Sequence, residues 1–220
     1  ELGGLKSIRK RQKDALSQGR YIGLGLGCYV EGTGVGPFEG ATVKIDATGK
    51  IVVATGACPQ GQGHETVFAQ VTADLWKVPI EDVYVTVADT AHVTMGFGTL
   101  ASRSTVTASG AIQLASDQIK EKAFAIASDI LEAGEQDLEL RDSGVGVKGV
   151  PGMHISFRDI ATAARPGWGH KRPEGIDAGL EATSYYEPPT VTWAYASNAA
   201  IVEVNPGTGQ VLIENYVEVH

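Results

Sequence analysis

The spacing of apolar and polar residues in the first part of the chain predicts two helices separated by strands. LKSIRKRQKDALSQG has the pattern of a helix that ends near Gly19, and the glycine-rich segment after it has the pattern of a strand. Alternating apolar residues on either side of the turn ATGK predict an antiparallel hairpin. Apolar residues at helical spacing between Val67 and Trp76 predict a second helix that begins near His64.

The second part of the chain carries one long helix among strand-forming segments. VYVTVADT predicts a strand that stops at Asp89, and a polar loop follows it. Apolar residues between Ile112 and Ile130 recur at helical spacing and predict a long helix that ends at Gly134. A hairpin, a strand with a short helix, a loop rich in Pro and Gly, and three final strands come next. Together these elements predict an α+β fold with a mixed or antiparallel sheet and two main helices.

Composition and charge exclude several classes of protein. The chain has 220 residues, 43% of them hydrophobic, and a formal net charge of −8. Its one basic cluster, KSIRKRQK, is typical of the solvent-exposed face of a helix, and no long basic block is present, so non-specific nucleic-acid binding is not expected. Two cysteines are too few for a structural zinc site or an iron–sulfur cluster within the chain. Nothing in the sequence calls for a disulfide, so a reducing cytoplasm is the expected location. No apolar run approaches the roughly 20 residues that span a bilayer, so we predict no transmembrane segment.

Neither end of the sequence has the polar, irregular character usual at chain termini. The chain begins with a helical pattern and ends, at VLIENYVEVH, with the pattern of a strand. We therefore expect the sequence to be a piece of a longer polypeptide.

The stretch CPQGQGHETVF places a glycine-rich turn directly before a helix. The first amides of a helix have no partner within it and carry partial positive charge, so this turn is a candidate anion site. Gly61 and Gly63 would allow close approach to the backbone, and Gln60 and Gln62 would add uncharged donors and acceptors. The alternative is a tight turn with Glu65 as an acid in the first helical turn. The paired glutamines favour the anion site, because an ordinary turn more often uses Asn, Asp or Ser.

A second polar loop, GTLASRST, also leads into a helix. Its donors are Ser102, Arg103, Ser104 and Thr105, and an arginine can bind a phosphate through two hydrogen bonds. The alternative is an ordinary helix cap by Ser104 or Thr105 beside an exposed arginine. Two such loops, each at the start of a helix, suggest one extended anionic ligand held between two helix ends.

Several common catalytic motifs are absent from the sequence. H-E-x-x-H fails because Phe68 stands where the second histidine is required, and the remaining histidines lack ligand spacing, so we predict no direct metal ligand in this chain. In the glycine-rich strand, Gly25 and Gly27 lack the third glycine of G-x-G-x-x-G, because Val30 stands in its place. The phosphate-binding loop of nucleotide hydrolases and G-x-S-x-G are missing. A standard nicotinamide or ATP site is therefore not expected.

The order and spacing of QGQGH, DT and SRS resemble the molybdopterin-binding large subunit of the molybdenum hydroxylases. This family includes xanthine dehydrogenase, aldehyde oxidoreductase (aldehyde oxidase) and carbon monoxide dehydrogenase, and the resemblance extends over nearly the whole chain. It implies molybdopterin cytosine dinucleotide with molybdenum as the cofactor. The cofactor-binding residues that the resemblance implies are Gln60, Gly61, Gln62, Gly63, His64, Thr99, Leu100, Ala101, Ser102, Arg103, Ser104 and Thr105.

The resemblance also implies an activity that this chain would carry only in part. Family members hydroxylate an electron-poor carbon with oxygen from water and pass electrons through iron–sulfur clusters to FAD. The family's catalytic glutamate lies in a G-E motif beyond the last residue here, so we expect no catalytic residue in this chain and no turnover by the chain alone. The alternative is a non-catalytic scaffold or assembly module with the same fold.

The resemblance further implies partners and an internal organisation. The expected partners are the remainder of the large subunit, an iron–sulfur subunit and an FAD subunit, assembled as a dimer of heterotrimers. We treat residues 1–220 as one part of the molybdopterin-binding domain. Within it, residues 20–134 would form part of the cofactor cradle, 135–178 a hairpin and surface loop, and 179–220 a strand-rich end.

Overall fold

A computed structural model of the chain describes residues 2–167 and 172–220. The loop predicted at residues 164–179 therefore lies partly outside the described residues. The chain divides into two compact units, one formed by Glu1–Gly32 with Thr192–His220 and the other by Thr33–Val191.

The described residues contain four α-helices and ten strands. The helices are α1 (Leu5–Ser17), α2 (His64–Trp76), α3 (Ser104–Leu131) and α4 (Phe157–Ala163). The strands are β1 (Tyr21–Thr33), β2 (Glu39–Ile45), β3 (Ile51–Thr55), β4 (Val83–Val87), β5 (Leu138–Arg141), β6 (Gly144–Val147), β7 (His154–Ser156), β8 (Glu181–Tyr186), β9 (Thr192–Val204) and β10 (Val211–Val219). Ile80–Asp82 and Glu135–Asp137 form short 3-10 helices. The predicted α+β class with mixed sheet and two main helices is confirmed.

The larger unit is built on a four-stranded sheet with the order β4-β3-β2-β8. Strands β2 and β3 form the predicted antiparallel hairpin, β8 pairs antiparallel with β2, and β3 pairs parallel with β4. A parallel pair needs a crossover connection, and α2 supplies it between β3 and β4. This connection places the start of α2 just after the carboxyl end of β3, where open sheets commonly bind ligands.

Helix α3 covers the sheet with its apolar face. Its buried side chains include Ile112, Ile119 and Ile126, and they share a core with Val43 and Val53 of the sheet. The helix ends at Leu131 with Glu132 in a left-handed cap, three residues before the glycine predicted to end it.

One buried contact fixes α2 against α3. The indole N–H of Trp76 donates to the hydroxyl of Ser116 at 3.0 Å, and its ring meets Phe157 edge-on with centroids 5.4 Å apart. Trp76 is fully buried, so its single polar atom requires this partner. The contact sets how the two helices lie against each other, and with them the positions of their first residues.

The remaining strands form two three-stranded sheets. Strands β5, β6 and β7 are antiparallel and precede α4. In the smaller unit, β1, β9 and β10 form a sheet in the order β1-β9-β10, with large apolar side chains left exposed. Among the described residues, no helix is both long enough and apolar enough to cross a bilayer.

Candidate functional site

The first residues of α2 and α3 line one cavity of about 440 Å³ in the larger unit. We call it the α2–α3 cavity. Its lining includes every residue predicted from the two loops except Gly61 and Gly63, and it adds Thr33, Val67 and Val106. Gln62 and Arg103 therefore border the same space, although 40 residues separate them in sequence.

The first loop, residues 58–63, owes its shape to two glycines. Gly61 and Gly63 have φ angles of 107° and 70°, and residues with a Cβ rarely adopt this region. A Cβ built at either position meets no heavy atom within 4 Å, so the backbone there is open on that side. The side-chain oxygen of Gln62 accepts a hydrogen bond from the backbone N–H of Gln60 at 2.6 Å, which closes the turn.

The imidazole of His64 is anchored behind this loop. It is buried, its Nδ1 lies 3.3 Å from the carbonyl oxygen of Ala57, and its ring contacts that of Phe68 with centroids 5.3 Å apart. If Nδ1 donates to that carbonyl, the tautomer leaves Nε2 as the ring's free acceptor. The histidine thus ties the first residue of α2 to the end of the preceding strand.

Both helices begin at the cavity without a side-chain cap from any described residue. Their first intrahelical hydrogen bonds join the Val67 N–H to the Gly63 carbonyl and the Thr107 N–H to the Arg103 carbonyl, each at 3.0 Å. The backbone N–H groups of residues 64–66 and 104–106, in the first turn of each helix, therefore have no hydrogen-bond partner within the helix. Contrary to the alternative drawn from the sequence, Ser104 does not cap α3, because its hydroxyl donates to that of Thr99 at 3.0 Å.

The second loop, residues 98–103, contains two successive left-handed residues. Ala101 and Ser102 have φ angles of 44° and 52°. Such a conformation costs roughly 1–2 kcal/mol for each residue with a Cβ, so the surrounding contacts must hold it. Two backbone bonds do so, since the Arg103 N–H donates to the Leu100 carbonyl at 3.1 Å and the Gly34 N–H donates to the Ser102 carbonyl at 3.2 Å.

The guanidinium of Arg103 is buried and hydrogen-bonded within the protein. Its exposed fraction is 0%, which contradicts the exposed arginine of the alternative hypothesis. Its three nitrogens donate to Glu39 and to the carbonyl oxygens of Val35, Phe38 and Gly98. The group expected to bind a phosphate through two hydrogen bonds is therefore engaged by the protein, because a buried cation needs a counter-charge and acceptors within the fold.

Glu39 is a site residue that the sequence did not reveal. It is the first residue of β2, it is fully buried, and its carboxylate lies 3.1 Å from Arg103. No motif marks it in PFEGA. Only an indirect argument could have identified Glu39 from the sequence: if Arg103 is buried, a carboxylate must lie near it.

The donor set of the cavity suits an anion. Helix amides, glycine backbone, hydroxyls and carboxamides line it, whereas nowhere in residues 2–167 and 172–220 do three His, Cys, Asp or Glu side chains group as metal ligands. A metal carried by an anionic cofactor fits such a surface, because uncapped helix ends bind phosphate and oxo groups.

Comparisons with known proteins agree with this chemistry. A family model of the molybdopterin cofactor-binding domain matches residues 1–220. The nicotine 6-hydroxylase large subunit of Paenarthrobacter nicotinovorans is 34% identical, and the match covers 100% of this chain and 28% of that protein. The carbon monoxide dehydrogenase large chain of Afipia carboxidovorans is 32% identical, over 93% of this chain and 27% of that protein.

A solved structure is also similar over almost the whole chain. It is quinoline 2-oxidoreductase from Pseudomonas putida, with 36% identity and a TM-score of 0.83, and the match covers 97% of this chain and 28% of that chain. The present chain therefore spans little more than a quarter of the length of these relatives. The resemblance drawn from QGQGH, DT and SRS is confirmed, and the chain belongs to the molybdopterin cofactor-binding family of the molybdenum hydroxylases, a family of oxidoreductases.

Proposed function

We propose that the α2–α3 cavity holds part of a molybdopterin dinucleotide, in its cytosine form, within the large subunit of a molybdenum hydroxylase. The convergence of two uncapped helix starts on one cavity carries this proposal. Each helix end contributes partial positive charge, and an elongated anion that reaches both would be stabilised twice.

The two loops would have different tasks. In the first loop, the left-handed glycines 61 and 63 let the backbone approach the pterin side, and Gln62 would contact the ligands of the metal. In the second loop, Thr99, Leu100 and Ala101 would lie along the metal centre, and Ser102, Ser104 and Thr105 would hold the pterin and its phosphates. Arg103, whose guanidinium donates to Glu39 and to backbone carbonyls, would contribute by holding this loop in place. Gly61 and Gly63 serve here through their backbone conformation.

Binding and orientation are the chemical contributions of this chain. When bound, the molybdenum cofactor supplies the centre at which an electron-poor carbon is hydroxylated with oxygen from water. We place the catalytic base outside this chain, since Glu65, the acid next to the first loop, is exposed in the first turn of α2 and does not line the cavity. Iron–sulfur clusters and FAD would lie on partner subunits in a dimer of heterotrimers.

Exposed apolar side chains on the β1-β9-β10 sheet support the proposal that the rest of a large subunit covers this sheet. Leu26, Trp193 and Leu212, one on each strand, are exposed to 76%, 66% and 61% of their surface. Large apolar side chains exposed together commonly mark an interaction surface. The relatives are more than three times as long as this chain, so they have sufficient additional polypeptide to cover this sheet.

The decisive experiment measures molybdenum and pterin in the intact protein that contains this chain. Gln62→Ala removes a cavity side chain from the loop before α2, and Gln70→Ala, at an exposed position within α2, is the matched control. Loss of a hydrogen bond to a charged group costs roughly 1.5–3 kcal/mol, which corresponds to roughly 10- to 150-fold weaker binding. We therefore expect lower molybdenum and pterin content, in equal proportion, for Gln62→Ala alone.

Two results would contradict the proposal. Unchanged loading of the Gln62→Ala protein would remove the first loop from the cofactor site. A wild-type protein that contains neither molybdenum nor pterin would favour the non-catalytic scaffold instead.

A further inference from the structure

We propose that Glu39 is a positioning residue, which acts through Arg103 to set the two cavity loops at the separation that the cofactor requires. This inference rests on the proposed function. It assigns a role to a carboxylate that does not line the cavity and that none of the motifs contains.

The carboxylate of Glu39 joins the start of β2 to the second loop. Its Oε1 accepts from the backbone N–H of Gly40 at 3.1 Å. Its Oε2 accepts from the backbone N–H of Gly98 at 3.0 Å and from Nη1 of Arg103 at 3.1 Å. Both ends of the second loop, residues 98 and 103, are thus hydrogen-bonded to one buried oxygen.

The guanidinium extends this connection to the segment before β2. Nε of Arg103 donates to the Val35 carbonyl at 2.8 Å, and its Nη2 donates to the Phe38 carbonyl. The ring of Phe97 lies under the guanidinium, 4.9 Å from its carbon to the ring centroid. An arginine is suited to this place because its planar fork offers several donors in fixed directions.

The segment that precedes the first loop approaches the same carboxylate at Gly56. A Cβ added to Gly56 would lie 2.9 Å from Oε1 of Glu39 and 2.6 Å from the Cα of Gly96. Gly56 leads into the first loop, and Gly96 leads into the second. The two chain segments therefore cross in direct backbone contact beside the carboxylate, so a movement of Glu39 would reach both loops.

A role in positioning can be separated from a role in stability. An apolar pair of similar volume often replaces a buried ion pair without loss of stability, because it avoids the cost of desolvating two charges. Such a pair offers no acceptor to the Gly98 N–H and no donors to the three carbonyls. It would restore the packing, but the two left-handed residues of the second loop would lose the contacts that hold the ends of that loop.

The test compares three variants of the intact protein, Glu39→Gln, Glu39→Leu and the double variant Glu39→Leu/Arg103→Met. Thermal unfolding reports stability, and molybdenum and pterin per chain, measured before and after dialysis, report cofactor retention. We expect Glu39→Leu to lower both. We expect the double variant to recover part of the unfolding temperature lost in Glu39→Leu while its cofactor retention stays at least 10-fold lower, and Glu39→Gln, which keeps one acceptor oxygen, to restore part of the retention.

Each outcome decides a separate claim. Recovery of both stability and cofactor retention in the double variant would show that the pair acts only on stability, and the inference would fail while the proposed function stands. A wild-type protein without molybdenum and pterin would overturn the proposed function and this inference with it. If the double variant does not fold, Glu39→Gln decides, because reduced retention at an unchanged unfolding temperature supports positioning and unchanged retention refutes it.

Discussion

Replacement of Gly56 by alanine tests whether the crossing of the two loop-bearing segments is as tight as the structure shows. The added methyl carbon would lie 2.6 Å from the backbone Cα of Gly96 and 2.9 Å from a carboxylate oxygen of Glu39. Carbon atoms prefer separations of roughly 3.5–4.0 Å, so the two segments must separate by about 1 Å. Backbone atoms cannot move aside by a change of rotamer, and the strain must therefore spread into both loops.

The expected cost follows from measured overpacking. An extra methyl group in a tightly packed site destabilises by roughly 1–3 kcal/mol. If the strain is relieved by local opening, the opening equilibrium rises by roughly 5- to 150-fold, since about 1.4 kcal/mol corresponds to a factor of ten. The same displacement would widen the α2–α3 cavity and weaken cofactor retention.

Hydrogen exchange of the intact protein, followed by mass spectrometry, measures this opening directly. We expect faster exchange in peptides that cover residues 56–63 and 96–103, together with reduced molybdenum content. Gly25→Ala is the matched control, because a Cβ at that strand glycine meets no heavy atom within 4 Å. Exchange in Gly56→Ala indistinguishable from wild type and from the control would refute the tight crossing, and with it the route by which Glu39 reaches the first loop.

Two further predictions concern other parts of the molecule. Burial acts to raise the pKa of Asp46, but hydrogen bonds from the Thr48 hydroxyl and from neighbouring backbone N–H groups outweigh it and hold the pKa below the ordinary value. A carboxylate whose pKa is lower in the folded state than in the unfolded state stabilises the fold above roughly pH 4, and this contribution is lost as the pH falls through the folded pKa. Asp46→Asn should therefore lower the unfolding temperature near neutral pH and have no such effect in acid. An equal effect at both pH values would contradict this. The second prediction concerns the β1-β9-β10 sheet. We expect the isolated chain to bind an apolar dye, Leu212→Asp to reduce that binding, and the intact protein to bind little dye. Equal dye binding by the isolated chain and the intact protein would show that nothing covers this sheet.

The parts of the fold that the sequence revealed are those encoded by local spacing. The β2–β3 hairpin follows from alternation around one turn, and α3 follows from apolar residues at helical spacing over many turns. Pairings between distant segments left no such local pattern. Strand β8 joins β2 across more than 130 residues of sequence, and β9 lies between β1 and β10. Which strands pair over such distances depends on which side chains become buried when the chain folds, and a single sequence does not show this.

In the site, too, features encoded by neighbouring residues could be predicted, whereas features that depend on contacts between distant residues could not. QGQGH and SRS were recognisable because glycines, polar donors and a helix start occur together within a few residues, and the structure brings both stretches to one cavity. The burial of Arg103 was not evident from the sequence, because its neighbours Ser102 and Ser104 are polar, and polar neighbours suggest a solvent-exposed side chain. Its counter-charge is 64 residues earlier in the sequence. A buried arginine without a carboxylate would be prohibitively costly, so the choice between a surface cation and a buried one depends on whether the fold brings Glu39 to it. The sequence shows the residues that touch a ligand more readily than the residues that hold them in place, because the latter act through contacts that exist only after folding.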